Sequence, residues 1–140
     1  MKTISLFITS LFVLIVLGCG SGKVGLRGTV TYSDDGTPLE AGTVSFQTET
    51  FFARGIINKD GTYITSSVSA KDGLPPGRYK VYISGANHQI GVTAGGMPIL
   101  EPLVDAKYES PETSGLVVDV DRSTRTFDIQ VDRASGSRMP

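Results

Sequence analysis

The chain has 140 residues, with 13 Lys and Arg residues, 14 Asp and Glu residues, one His and a formal net charge of −1. That length suits a single domain. The near balance of charge, without a run of basic residues that could follow a phosphate backbone, argues against a nucleic-acid partner. The single Cys excludes an intramolecular disulfide.

The first eighteen residues have the pattern of a secretory signal. Lys2 supplies a positive charge, and the apolar stretch over residues 4–17 contains no charged residue. A membrane-spanning helix needs roughly 20 apolar residues, so this stretch is too short to cross a bilayer and fits the apolar region of a signal peptide. We predict that residues 1–18 form a signal helix that is removed on export. Its removal takes away Lys2 only and leaves 12 basic and 14 acidic residues.

The segment Val16-Leu17-Gly18-Cys19 resembles the lipobox of bacterial lipoproteins. That resemblance implies that Cys19 is joined to diacylglycerol and becomes the first residue of the mature chain. Residues 19–23 then form a Gly/Ser tether, and the protein is lipid-anchored in the cell envelope, at the outer membrane or the periplasmic face of a membrane. The presence of Gly20 rather than Asp suggests the outer membrane, by resemblance to the enterobacterial sorting rule. The alternative is a free or buried Cys at the end of an anchor helix.

After Cys19, runs rich in Val, Ile, Thr, Tyr and Phe are separated by Gly- and Pro-rich turns, which is typical of an all-β domain. Strict alternation of apolar and polar residues gives each run one inward face. We predict a seven-stranded Greek-key β-sandwich over residues 24–132, followed by a flexible tail over residues 133–140. The last two strands are predicted to form a hairpin. The predicted strands are residues 24–32, 42–48, 52–57, 62–68, 78–84, 115–120 and 125–131.

The alternation lapses between residues 85 and 114, where Gly and Pro are frequent. We expect a long connection there, with at most a short edge strand. Connections of that length without regular structure are usually functional or mobile.

Three motifs occur in an order that resembles the carboxypeptidase regulatory-like domain. They are a strand–turn–strand unit over residues 28–46 with Asp35-Gly36-Thr37-Pro38-Leu39 at its turn, then residues 58–63, then residues 74–81. The resemblance implies a transthyretin-like (prealbumin) sandwich. Residues 106–116 resemble a segment of small planctomycete-type lipoproteins. Such domains serve as accessory, adhesive or carbohydrate-contacting modules, so the resemblance implies mainly a fold.

The sequence offers few candidates for catalysis or metal binding. His88 is the only histidine and has no second His or Cys after Cys19 with which to hold a metal. Ser84, Ser110 and Ser114 lack a nucleophile-elbow motif. The resemblance implies that a hydrolase of the transthyretin-like fold would carry several histidines and a C-terminal Tyr-Arg-Gly-Ser. This chain has neither. Four carboxylates of the long connection could still act together as a hydrolase: Glu101, Asp105, Glu109 and Glu112. Asp119 and Asp121 are predicted on the outward face of a strand.

Two further candidates concern side chains on strands. A Lys–Asn isopeptide bond is disfavoured because Lys80 is predicted to face outward, while Asn58 and Asn87 are predicted in turns. Tyr82 and one ring of Phe51-Phe52 are predicted to face outward, where they could stack on sugars. We therefore expect a non-enzymatic envelope domain with a structural or binding role, with no cofactor and no metal. Its partner is a membrane through Cys19, together with an envelope protein or a glycan; a carbohydrate-binding module is the alternative.

Overall fold

The computed structural model describes residues 22–67 and 72–136, which form nine β-strands and one short 3-10 helix. Cys19 and the predicted signal segment, residues 1–18, lie outside the described residues. None of the helical structure within these two ranges is long and apolar enough to span a membrane. The strands are β1 Arg27–Tyr32, β2 Thr43–Gln47, β3 Phe52–Ile56, β4 Thr62–Ile64, β5 Gly77–Ser84, β6 Asn87–Val92, β7 Pro98–Pro102, β8 Leu116–Val120 and β9 Ile129–Val131; the 3-10 helix is Ala106–Glu109.

Seven of the strands build a two-layer sandwich. One sheet has the order β4-β1-β9 and the other has the order β3-β2-β5-β8. All neighbours are antiparallel except β1 and β9, which run parallel with Val30 opposite Ile129. Each of these seven strands overlaps one of the seven predicted from alternation, although β1, β4 and β9 are shorter than predicted, so the all-β sandwich is confirmed.

The core lies between the two sheets, because alternate side chains of each strand point inward. Along β5, Tyr79, Val81 and Ile83 are at most 1% exposed, while their neighbours on the strand point to the outer face. The other sheet contributes Val30 and Tyr32 from β1 and Tyr63 from β4 to the same apolar cluster. A period of two therefore predicts the inward faces correctly.

The predicted hairpin between the last two strands is wrong. β8 pairs with β5 in the four-stranded sheet, whereas β9 pairs with β1 in the three-stranded sheet. The residues between them cross from one sheet to the other. This crossing is held by Phe127, whose backbone N–H donates to the Arg27 carbonyl and whose carbonyl accepts from the Tyr63 hydroxyl. Alternation specifies which face of a strand is buried but not which strand lies beside it.

The two strands that flank residues 60–61 also lie in different sheets. Asp60-Gly61, an Asp-Gly pair typical of a hairpin, does form a turn, with Gly61 at φ +81° and the Asp60 carboxylate accepting from the Thr62 N–H. Its two strands nevertheless join different sheets, since β3 pairs with β2 and β4 pairs with β1. A single bridge between Arg54 and Ser66 links the two runs, so this turn forms a corner of the sandwich.

The expectation of an irregular connection over residues 85–114 is also wrong. β6 and β7 form a separate antiparallel sheet within it, and the 3-10 helix follows. The register shifts by one residue between Gln89 and Gly91, as expected for a β-bulge. Because the bulge interrupts the period of two, alternation could not reveal β6.

The packed domain extends beyond both predicted limits. At the N-terminal side, the Nζ of Lys23 lies 2.9 Å from the Asp72 carboxylate. At the C-terminal side, Arg133 and Val104 form an isolated antiparallel β-bridge. Residue 23, predicted as tether, and residue 133, predicted as tail, therefore both belong to the folded domain.

Candidate interaction surface

The hairpin of β6 and β7 is the feature of this fold that the sandwich itself does not require. We call residues 87–102 the arm. Its large apolar side chains are exposed: Ile90 58%, Val92 62%, Met97 68%, Ile99 41% and Leu100 54%. Single exposed apolar residues are common on protein surfaces, but a contiguous group of them usually marks an interaction site.

Apolar side chains lie on both faces of the arm. Gln89 is opposite Leu100 and Val92 is opposite Pro98, which places Val92 and Leu100 on one face. Ile99 lies on the other face, where it covers Gly91; a Cβ on Gly91 would be 3.8 Å from the Ile99 Cδ1. Residues 89–100 include no charged side chain, and His88 faces Glu101 across the base of the arm. The arm is therefore apolar on two sides and charge-free along most of its length.

The base of the arm is fixed firmly to the sandwich. Ala86 is buried next to the end of β5, and its carbonyl accepts a hydrogen bond of 2.8 Å from the Leu103 N–H. The Leu103 carbonyl in turn accepts from the Tyr32 hydroxyl at 3.3 Å. Val104 is 1% exposed and belongs to the core. The arm thus leaves the domain between two anchored residues, Ala86 and Leu103.

A charged cluster supports the same end of the sandwich. The Arg133 guanidinium lies 3.7 Å from the centre of the Tyr32 ring, and its Nε and Nη2 lie 2.9 Å from the carboxylates of Asp34 and Asp35 respectively. Two hydrogen bonds from Thr37 lower the pKa of Asp35 to about 2. These ion pairs sit at the surface, so they orient the loops at the base of the arm more than they add to stability.

A second charged group joins the 3-10 helix to the end of β9. The Asp132 carboxylate accepts hydrogen bonds from Lys107 at 2.6 Å, Ser33 at 2.6 Å and Tyr108 at 3.2 Å. These donors favour the ionised form and lower the pKa of Asp132 to about 2, with the Lys107 bond as the largest cause. The segment that follows the arm is thereby connected to both β1 and β9.

The chain joins the sandwich at the opposite end. Val24 exchanges two backbone hydrogen bonds of 2.7 and 3.0 Å with Leu74, three residues before β5 begins at Gly77. The arm begins three residues after β5 ends at Ser84. Eight strand residues span roughly 25 Å. The N-terminal junction and the arm therefore lie at opposite ends of β5.

The structure does not gather the candidate catalytic residues. His88 and Glu101 lie on the arm, while the Asp105 carboxylate caps the 3-10 helix by accepting from the Lys107 N–H. Asp119 lies on β8, 3.9 Å from Arg78. Across residues 22–67 and 72–136, no three His, Cys, Asp or Glu side chains are grouped so that they could hold a metal ion. Glu109 ends the 3-10 helix and Ser84 ends β5. Other candidates form local hydrogen bonds: Glu112 with Ser110, Asp121 with Ser123 and Thr124, and the buried Ser114 with the Val81 carbonyl.

The outward-facing side chains lie largely where alternation predicts them. Lys80 and Phe52 are exposed and Tyr82 is half-buried, all on the outer face of the four-stranded sheet. Phe51 points inward, with its ring centre 6.4 Å from that of Tyr79. Asn58 lies in a turn as predicted, but Asn87 begins β6 and is not a turn residue.

The arm is the candidate interaction feature that sequence reasoning missed. A signal for it exists, since Gly95 and Gly96 stand between two runs of apolar residues and a Gly-Gly pair favours a hairpin turn. The bulge at Gln89 and Gly91 and the prolines at both ends of β7 obscured that pattern.

Comparison with known proteins gives similarity in fold alone. No family model matches the chain, and no curated protein matches it. Among solved structures, a DUF3823 family protein from Bacteroides ovatus is 21% identical over 79% of this chain and 45% of that one, with a TM-score of 0.47. The major pilin subunit of Bacillus cereus is 11% identical over 80% of this chain and 30% of that one, also with a TM-score of 0.47. The chain spans less than half the length of either protein.

Proposed function

We propose that this chain is a lipid-anchored envelope protein whose sandwich is a structural and binding module that presents the arm to a partner. The observation that supports the binding role most directly is the arm itself, with its exposed apolar side chains on two faces. The lipid anchor is supported by the lipobox-like segment that ends at Cys19, the only cysteine in the chain.

The geometry of the domain suits this arrangement. The five residues 19–23 can span at most about 17 Å, and the chain joins the sandwich near Val24 and Leu74. A lipid on Cys19 would hold this end close to its membrane. The arm lies at the other end of β5, so the anchor leaves it accessible to a partner.

Metabolic labelling tests the anchor. Cells that express the full chain with an alkyne-bearing palmitate should label it, and Cys19→Ala should abolish the label because the thiol that receives the lipid is gone. Ser21→Ala, two residues away, is the matched control and should keep the label. Globomycin, which blocks the lipoprotein signal peptidase, should leave the longer precursor. An unlabelled chain whose processing is unaffected by globomycin would disprove the anchor.

A second candidate function is carbohydrate binding, favoured by the outward positions of Phe52 and Tyr82 on the four-stranded sheet. Aromatic rings on a flat sheet face can stack on sugars. Full chain solubilised in detergent should then bind at least one glycan on an array, and Phe52→Ala and Tyr82→Ala should weaken that binding. No binding at millimolar sugar would dismiss this function.

A further inference from the structure

The arm is a two-stranded sheet without a third strand. A two-stranded hairpin alone is at best marginally stable in water, and sheets become stable with a third strand or a packed face. Among the described residues, β6 and β7 pair only with each other, and neither belongs to a sandwich sheet. Both faces of the arm remain exposed. A strand or surface that completes the arm is therefore not supplied by the described residues of this domain.

The two outer edges of the arm differ in their capacity to accept another strand. Thr93 donates to the Met97 carbonyl and Leu103 donates to the Ala86 carbonyl, so the odd-numbered residues of β7 face β6 and the even-numbered residues face outward. Two of those outward residues, Pro98 and Pro102, have no N–H. The outer edge of β7 is thus blocked in the way that natural edge strands often are.

The outer edge of β6 is open by comparison. Residues 87–92 include no proline, and by the same alternation Gln89 and Val92 present their backbone N–H groups outward. β6 also carries no Asp, Glu, Lys or Arg. In a symmetric pair both edges carry the same side chains. A strand without charged residues can therefore pair with a second copy of itself without repulsion between like charges.

A bilayer is a poor occupant for this surface. In hydrocarbon, the unpaired backbone groups along both edges of a two-stranded sheet would have no hydrogen-bond partner. The arm also lies at the far end of β5 from Val24, where the chain joins the sandwich. A partner that supplies a strand forms hydrogen bonds with the unpaired backbone groups along the edge and also covers apolar side chains.

We propose that β6 pairs antiparallel with β6 of a second copy of this chain, which rests on the proposed binding role of the arm. The product is a four-stranded sheet in the order β7-β6-β6-β7, with its two-fold axis near Gln89. Both outer edges of this sheet are then the proline-containing β7 strands. The assembly therefore closes at two copies, because no open edge remains to recruit a third.

The mass of the full chain in detergent tests this pairing. Light scattering coupled to gel filtration should give two chains per particle. Gln89→Lys should weaken self-association about tenfold or more, because the two-fold axis near residue 89 places the two introduced charges directly opposite each other at the shared edge. Leu100→Lys is the matched control, because Leu100 lies opposite Gln89 on β7, is exposed and is one strand away from the shared edge, and it should leave the dimer intact. Equal disruption by both variants would overturn pairing through β6 in favour of contact through the apolar faces.

Crosslinking in intact cells detects the pair directly and does not require a substitution that weakens self-association. In the full chain, Gln89→Cys should be joined to its copy by a short bifunctional maleimide, whereas Gln130→Cys, on the exposed side of β9, should not. A single-chain mass together with no crosslink at any position from 87 to 92 would overturn the proposal. If the chain is palmitate-labelled in the same cells, that result rejects self-pairing while the lipid-anchored function stands.

Discussion

At the scale of single residues, Gly28 shows how closely the crossing between β8 and β9 approaches β1. A Cβ on residue 28 would lie 1.9 Å from the Phe127 carbonyl oxygen and 2.9 Å from the Tyr63 hydroxyl. That hydroxyl donates to the same Phe127 carbonyl. Burial raises the pKa of Tyr63, so the hydroxyl stays protonated as a donor. Glycine is required here for space.

We expect Gly28→Ala to lower the free energy of unfolding by about 1–3 kcal/mol or more, as overpacking in a well-packed core does. The added methyl group must displace either the crossing backbone or Tyr63. Urea unfolding followed by circular dichroism would measure the change. Gly25→Ala is the control, because nothing lies within 4 Å of a Cβ at residue 25. Equal destabilisation of the two variants would contradict the close approach at residue 28.

The Asp132 carboxylate predicts a dependence of stability on acid pH. Its pKa is about 2 in the folded chain, below the ordinary 3.8, so folding favours the ionised form. The contribution is therefore complete above about pH 4 and is lost as the pH falls through about 2. Asp35, with a pKa also lowered to about 2, acts in the same direction and the same range.

Urea midpoints measured between pH 6 and pH 2 should fall in the acid range, and Asp132→Asn should make that fall shallower. Asn cannot ionise, so it loses the charge-assisted bonds to Lys107 and Ser33 at every pH. Asp119→Asn removes a 74% exposed carboxylate and serves as the matched control. A pH profile of Asp132→Asn identical to that of the unaltered chain would contradict this assignment.

At the scale of elements, the arm and the sandwich are separable. The buried apolar core includes Ala86 and Val104 but no residue between 87 and 102. The backbone hydrogen bond between Ala86 and Leu103 closes the base without the strands beyond it. The arm therefore contributes an exposed surface and not part of the core.

Replacing residues 87–102 with Asn-Gly, a favoured two-residue turn, should leave the sandwich folded. We expect the unfolding temperature to change by less than about 5 °C, since no core side chain is removed. Differential scanning calorimetry would measure it. The contrasting variant Val104→Ala should lower the unfolding temperature because Val104 is buried. Loss of folding on removal of the arm would show that the arm is structural.

Strands β5, β8 and β9 show which features of a strand can be predicted from the sequence and which cannot. Within β5 the alternation of Tyr79, Val81 and Ile83 with polar residues predicts both the strand and its buried face. The same kind of pattern in β8 and β9 predicts two strands correctly but pairs them wrongly. Strand pairing depends on contacts between residues far apart in the chain, and a local period carries no information about them.

At the scale of the whole molecule, the domain has two distinct ends. The end where the chain joins carries Lys23, Val24 and the turn before β5, and the other end carries the arm and the two charged groups centred on Arg133 and Asp132. This polarity gives the proposed anchor and the proposed binding surface separate positions. Neither end is recognisable from composition, because the segments at both ends are rich in Gly and Pro.

Local patterns in the sequence establish the all-β class, the seven strands of the sandwich and the faces they bury, because a period of two and Asp-Gly turns are local properties of the chain. The sequence also yielded the prediction that Cys19 is lipidated. Contacts between segments that are distant in the chain establish which strands share a sheet, that β8 and β9 lie in different layers, and that residues 87–102 form an arm. The bulge in β6 interrupts the period of two by which a strand is predicted from sequence. The arm is exposed because none of the described strands of the sandwich pairs with it.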